Sequence, residues 1–187
     1  IFLAPGLAML LGCLVSWLLS RTRWSWLELP FLLPMGVSSV VLGFGYLITF
    51  RAGWLTVPLV QAVLALPLVV RIIHPALVSL ASEYREEAQI AGAGSWQIWR
   101  LVEAPLVANA LRTAAVYAAL VSLGEFGAAS LLSFGDQATL PVVLYQLISR
   151  PGAQNYSMAM AACALLMIAV FVISMTSALV QKRRRSF

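Results

Sequence analysis

Charge is what this chain has least of. Asp, Glu, Lys and Arg together make up 10% of its 187 residues, against roughly 25% in an ordinary soluble domain. Histidine occurs once and cysteine twice, as Cys13 and Cys163 inside apolar runs. That leaves no zinc-type spacing and no arguable disulfide, so both thiols read as inert. No glycine-rich turn ends in Lys followed by Ser or Thr, which excludes a phosphate loop on this chain. No nucleophile–base constellation is present either, and catalysis is not expected here. The net charge of +5 does not form a nucleic-acid patch, because the basic residues sit at the ends of apolar runs, where topology determinants belong.

Apolar residues supply 61% of the chain, and the mean hydropathy is +0.92. One core of this size cannot hide that much apolar surface, so the lipid bilayer must be the solvent for most of it. A helix needs about 20 apolar residues to cross the hydrocarbon. Five segments qualify: Ile1 to about Leu19, about Phe31–Phe50, about Leu55–Leu80, about Leu106–Leu123 with a possible continuation to Leu132, and about Tyr156–Val180. Strict alternation is absent, and the runs are too long for barrel strands. The expected fold is all-α, a polytopic bundle of five transmembrane helices forming a single domain over residues 1–187.

The basic residues orient the bundle. Arg21 and Arg23, then Arg85 and Arg100, then Lys182, Arg183, Arg184 and Arg185 all fall on one side of five spans, which the positive-inside rule makes cytoplasmic. The C-terminus is therefore expected inside. On the outer side, the apolar string TLPVVLYQLIS within Ser133–Asn155 is too short to span. It reads as a short interfacial helix or, second, as a re-entrant segment.

One segment does not suit lipid. Residues 83–105, EYREEAQIAGAGSWQIWRLVEAP, form a charged, glycine-broken island between the third and fourth spans. Glu83 and Glu87 share a helix face with Glu86 beside them. Gly92 and Gly94 interrupt that helix, Ser95 is placed to cap a second short helix over WQIWRLV, and Pro105 marks the entrance to the next span. An amphipathic loop resting on headgroups is one reading. Three clustered glutamates argue against it, because the inner leaflet is anionic. A soluble partner is the other.

The island resembles the EAA loop of permease subunits of binding-protein-dependent ABC importers. That pattern runs Glu-Ala-Ala, three residues, Gly, nine residues, Ile, one residue, Leu-Pro. Glu86, Glu87 and Ala88 occupy the opening triplet, Gly92 follows at the matching offset, and Val102, Glu103, Ala104 and Pro105 close it. Glu87, Val102 and Ala104 depart from the pattern. Five spans with this loop between the third and fourth also look like the family's core. The resemblance implies an ATPase-coupling role for Glu86, Glu87, Ala88, Gly92, Ala93, Gly94 and Pro105. It implies a pair of cytoplasmic ATPase subunits that bind ATP and Mg, a periplasmic solute-binding protein, a second permease half, and a bacterial inner membrane. No cofactor is expected on this chain. A start at Ile1 without Met or a charged leader fits the C-terminal half of a fused permease better than a signal peptide. The wording of LPMGVSSVVLGFGYLITF and SLGEFGAASLLSF looks closest to thiamine permeases, with ferric-iron and putrescine permeases as alternatives, whereas LGEFG also looks like strings in sulfate and molybdate permeases.

Polar groups inside spans complete the candidate list. Glu125, near the outer end of span four, reads either as a carboxylate bonded to neighbouring backbone or arginine, or as a gate or pore-lining residue. Arg71 and His74, toward the inner end of span three beside Pro75, read either as interfacial anchors or as a cytoplasmic gate. Gly36, Gly43 and Gly45 are expected to pack helices. Tyr46, Phe44 and Tyr117 are aromatic groups able to meet a cationic solute, although packing is their commoner use. An ion-coupled secondary transporter is the competing class. It calls for buried mid-membrane carboxylates, and this chain offers Glu125 alone.

Overall fold

The computed structural model describes residues 3–20, 29–50, 53, 55–79, 94–98, 100, 104–133 and 138–185. Within them the chain is helical, with no strand. The elements in order are α1 (Leu3–Ser20), α2 (Leu29–Leu32) running into a 3-10 turn (Leu33–Gly36), α3 (Ser39–Thr49), α4 (Thr56–Ser79), α5 (Ser95–Ile98), α6 (Ala104–Gly124), α7 (Gly127–Leu132), α8 (Leu140–Ile148) and α9 (Ala153–Arg185).

Four of these helices are long and apolar enough to cross a membrane: Leu3–Ser20, Thr56–Val78, Val107–Gly124 and Ala153–Ala178. The second expected span is not one helix. Its two parts, Leu29–Gly36 and Ser39–Thr49, meet at 104°. The local sequence explains the break. Pro34 opens the 3-10 turn, Val37 is extended at φ −104° and ψ 136°, and Ser38 at ψ 135° takes the cap position before α3. Proline supplies no N–H to a continuing helix. The fourth span likewise stops at Gly124 rather than running on to Leu132, because Glu125 and Phe126 separate it from α7. The short helix expected between Ser133 and Asn155 is present as α8.

Two clusters hold the bundle. In the first, Ala8 of α1, Ala62, Ala65, Val69 and Ile73 of α4, and Ala114 and Ala118 of α6 meet in a three-helix seam. Small side chains permit this, since helices in lipid associate through close backbone packing rather than a hydrophobic drive. Gly12 belongs to the same seam, where a Cβ would lie 2.9 Å from the Val69 Cβ. In the second cluster, Val57 and Val60 of α4 pack with Ala128, Ala129 and Leu132 of α7 and Val142 of α8. There α3 crosses α7 closely: a Cβ at Gly43 would meet the Ala128 Cα at 2.8 Å, and one at Gly127 would run into Ser39 and Val40. Gly43 is thus a packing glycine, as expected. Among the described residues a Cβ at Gly36 or Gly45 would meet nothing within 4 Å, so no packing contact there accounts for these two. The last helix, α9, lies on α8 and α6 and leaves most of its apolar surface outward, Leu165, Phe171 and Met175 included.

Candidate functional site

Of the expected coupling residues, Glu86, Glu87, Ala88, Gly92 and Ala93 lie outside the described residues. Gly94 and Pro105 lie within them. Gly94, not Ser95, caps α5. Its carbonyl accepts from the N–H groups of Gln97 (2.9 Å) and Ile98 (3.1 Å), and its own N–H donates to Gln97 Oε1 at 3.1 Å. A side chain three residues into a helix that reaches back to the cap N–H is one half of a capping box. Ser95 is consequently the first helical residue. The helix turns Ile98 inward, at 2% exposure, and Trp96 outward, at 66%. Pro105 is the second residue of α6, where the first turn has no use for its missing N–H.

The two chain breaks face one another across an open groove of about 660 Å³. Pro34, Met35, Val37 and Ser39 form one side, and Gly124, Glu125, Phe126 and Gly127 form the other; Leu64, Leu120 and Val121 complete the lining. Non-helical backbone at membrane depth is tolerated only where it is buried in protein or lines a water-filled cavity. A groove at the meeting point of two breaks meets that condition.

Glu125 anchors one wall. It is 9% exposed, and its two carboxylate oxygens accept from the N–H groups of Ala128 and Ala129, each at 3.0 Å. Those amides are among the orphan donors of the first turn of α7, and a carboxylate at a helix N-terminus also complements the helix dipole. Glu125 is therefore bonded to neighbouring backbone, and among the described residues no arginine shares its cavity. Phe126 beside it stacks obliquely on Tyr145 of α8, ring centroids 5.4 Å apart.

Arg71 and His74 are not brought to this groove. They line a second cavity of about 270 Å³ with Leu32, Val70 and Pro75, and the two cavities share no residue. The aromatic candidates do not converge either. Tyr46 packs against the second cluster and stacks on Phe50 (5.3 Å), while Phe44 and Tyr117 point outward. Among the described residues no group of three His, Cys, Asp or Glu is placed to hold a metal ion.

One buried polar pair went unforeseen. Gln61 of α4 and Ser122 of α6 are 5% and 8% exposed and exchange hydrogen bonds between the helices. The signal lay in the sequence as an amide inside the run VPLVQAVLAL, since a polar group within a span needs a partner.

Comparison with known proteins adds the family. Residues 2–185 match the family described as the binding-protein-dependent transport system inner membrane component. The molybdenum transport system permease protein ModB of Escherichia coli (strain K12) is 32% identical over 170 residues, covering 77% of this chain and 73% of that protein. ModB of Haemophilus influenzae is 29% identical over 171 residues, with 78% and 74% covered. The sulfate transport system permease protein CysT of Escherichia coli (strain K12) is 32% identical over 139 residues, with 63% of this chain and 50% of that protein covered.

Proposed function

The chain belongs to the family of binding-protein-dependent transport system inner membrane components, and from that premise we propose that it is one permease half of an ABC importer that carries a small solute inward by alternating access. One observation carries this beyond the family: two breaks in membrane-spanning segments face each other across one groove. Such a groove is a ready wall for a solute path, and the matching wall belongs to a second permease half. The island at 83–105 docks on a cytoplasmic ATPase subunit, one of two that bind ATP and Mg. A periplasmic binding protein delivers the solute to the outer mouth. The C-terminus lies in the cytoplasm, as the distribution of Lys and Arg supports.

For the solute, an oxyanion such as sulfate or molybdate is supported by the relatives' names. Thiamine is the second reading. It is supported by the wording of LPMGVSSVVLGFGYLITF and SLGEFGAASLLSF, and by a groove whose described lining holds a carboxylate and no basic side chain.

The test is ATP-dependent uptake into proteoliposomes that hold the full-length chain with its ATPase and binding protein. Labelled thiamine, molybdate and sulfate are offered in turn, with and without Gly92→Asp. Uptake of one of them, lost in the variant while the membrane domain still folds, supports coupling through the island and decides the solute. ATP-independent uptake that ignores the variant would overturn the importer mechanism and revive a secondary transporter.

A further inference from the structure

The second cavity has a chemistry that the solute groove lacks. Arg71 and His74 stand one turn apart on the same face of α4 and line a single hollow of about 270 Å³. The floor and rim are apolar, from Leu32 at the end of α2 and from Val70 and Pro75. Val70 is 2% exposed, whereas Arg71 beside it is exposed, and both line the hollow.

Depth along α4 places the hollow. The helix has 24 residues and is therefore about 36 Å long, longer than a hydrocarbon core of about 30 Å. Arg71 lies about 22 Å from Thr56 along the axis and His74 about 27 Å. With Thr56 at one hydrocarbon boundary, His74 lies close to the opposite one, and the long Arg71 side chain can extend its guanidinium to headgroup level. Pro75 deepens the site, since its ring removes the N–H that would otherwise bond to the Arg71 carbonyl, and its bulk loosens the helix there.

We infer that this hollow is a seat for the phosphate of an anionic phospholipid, with the acyl or glycerol portion against Leu32, Val70 and Pro75. A guanidinium presents a rigid fork of donors that matches phosphate oxygens in pairs. His74 lines the same hollow one turn on. Basic pockets between membrane helices at the headgroup level are the usual form of such sites. The seat joins α2, on the near side of the broken span, to α4 of the three-helix seam. A bound lipid therefore braces the segment that leads into the solute groove. Assignment to the cytoplasmic leaflet rests on the orientation proposed above; the preference for an anionic headgroup does not.

The experiment is equilibrium binding to the full-length chain purified in detergent, read as lipid adducts by native mass spectrometry. The probes are short-chain phosphatidylglycerol, short-chain phosphatidylcholine and inorganic phosphate. Phosphatidylglycerol is expected to bind more tightly than phosphatidylcholine. Its affinity is expected to fall about fivefold in Arg71→Gln and further in Arg71→Gln combined with His74→Ala. Arg71→Lys keeps the charge without the fork and is expected to fall between, which preserves the test should the neutral variant fail to fold. Equal binding of the two lipids, or variants that bind as the parent does, would overturn the proposal. Displacement of phosphatidylglycerol by inorganic phosphate at equal concentration would also overturn it, by making the site one for a free anion. Because binding is read without ATP or solute, its failure leaves the transport proposal standing.

Discussion

Gln61 and Ser122 exchange two hydrogen bonds across the contact between α4 and α6: Gln61 Nε2 donates to the Ser122 carbonyl at 3.2 Å, and Ser122 Oγ donates to Gln61 Oε1 at 2.9 Å. Within lipid neither group has water as an alternative, so each depends on the other. The pair also fixes register. A one-residue slip of either helix removes the partner, whereas the alanine seam of Ala62, Ala65, Ala114 and Ala118 next to it tolerates such a slip more readily.

Disrupting that pair is expected to be measurable and non-additive. Ser122→Ala and Gln61→Leu should each lower stability by about 1 kcal/mol, in keeping with interhelical hydrogen bonds in membranes. Combined, they should cost less than the sum, because both changes remove the same bond from Ser122 Oγ to Gln61 Oε1, while the Ser122 carbonyl remains in Ser122→Ala. Unfolding midpoints of the four proteins in detergent complete the cycle. Strict additivity would mean that the two residues are not coupled.

Glycines separate into those that allow close approach and those that do not. Gly43→Ala places a methyl 2.8 Å from the Ala128 Cα, and Gly12→Ala places one 2.9 Å from the Val69 Cβ. The Ala128 Cα and the Val69 Cβ are both fixed by their backbones, and Val69 is fully buried, so both variants should show overpacking costs of about 1–3 kcal/mol. Gly45→Ala meets nothing within 4 Å and should be neutral or slightly stabilising, since alanine favours the helix. Thermal midpoints of the three variants provide the comparison; equal losses at Gly43 and Gly45 would contradict the close crossing of α3 on α7.

Glu125 offers a test confined to two amides. Glu125→Ala strips both acceptors from the first turn of α7, and each buried donor left alone costs about 1–3 kcal/mol. Glu125→Gln retains one carbonyl oxygen and should lose less. Hydrogen exchange at Ala128 and Ala129 is expected to accelerate most in the alanine variant, while the buried Ala159 of α9 keeps its protection. Unchanged exchange at Ala128 and Ala129 would show that the carboxylate does not hold that turn.

How much of this was legible in the chain follows from the kind of signal each feature leaves. Long apolar runs must cross lipid, so α1, α4, α6 and α9 could be read directly. The break of the second expected span could have been found in Pro30, Pro34 and Gly36, but a run of apolar residues scores the same whether its helix is straight or folded back by 104°. Ser95 looked like a cap because serine caps helices well; Gly94 took the place because Gln97 can close the cap from within the helix. Hydropathy does not pair residues in space. Glu125 bonds to amides only three and four residues on, a local pairing that shows only once the helix is seen to restart at Gly127, whereas nothing local ties Gln61 to a serine 61 positions on. The second pairing is set by how the helices dock.

The groove can be separated from lipid-facing surface by its water. Ser39 and Phe126 line it, whereas Leu165 on α9 is 62% exposed outside it. Cysteine placed at each position, in a background with Cys13 and Cys163 replaced, should react very differently with a charged, membrane-impermeant thiol reagent. The reagent needs both access and a thiolate, and a thiol in hydrocarbon has neither, because burial in an apolar medium raises its pKa. Ser39→Cys and Phe126→Cys are expected to label at least about tenfold faster than Leu165→Cys, the factor that one unit of thiol pKa alone provides. Comparable slow labelling at all three would place the broken backbone against lipid, where unpaired N–H and carbonyl groups cannot persist. A protein surface would then have to cover the groove, and the second permease half would be the first place to look for it.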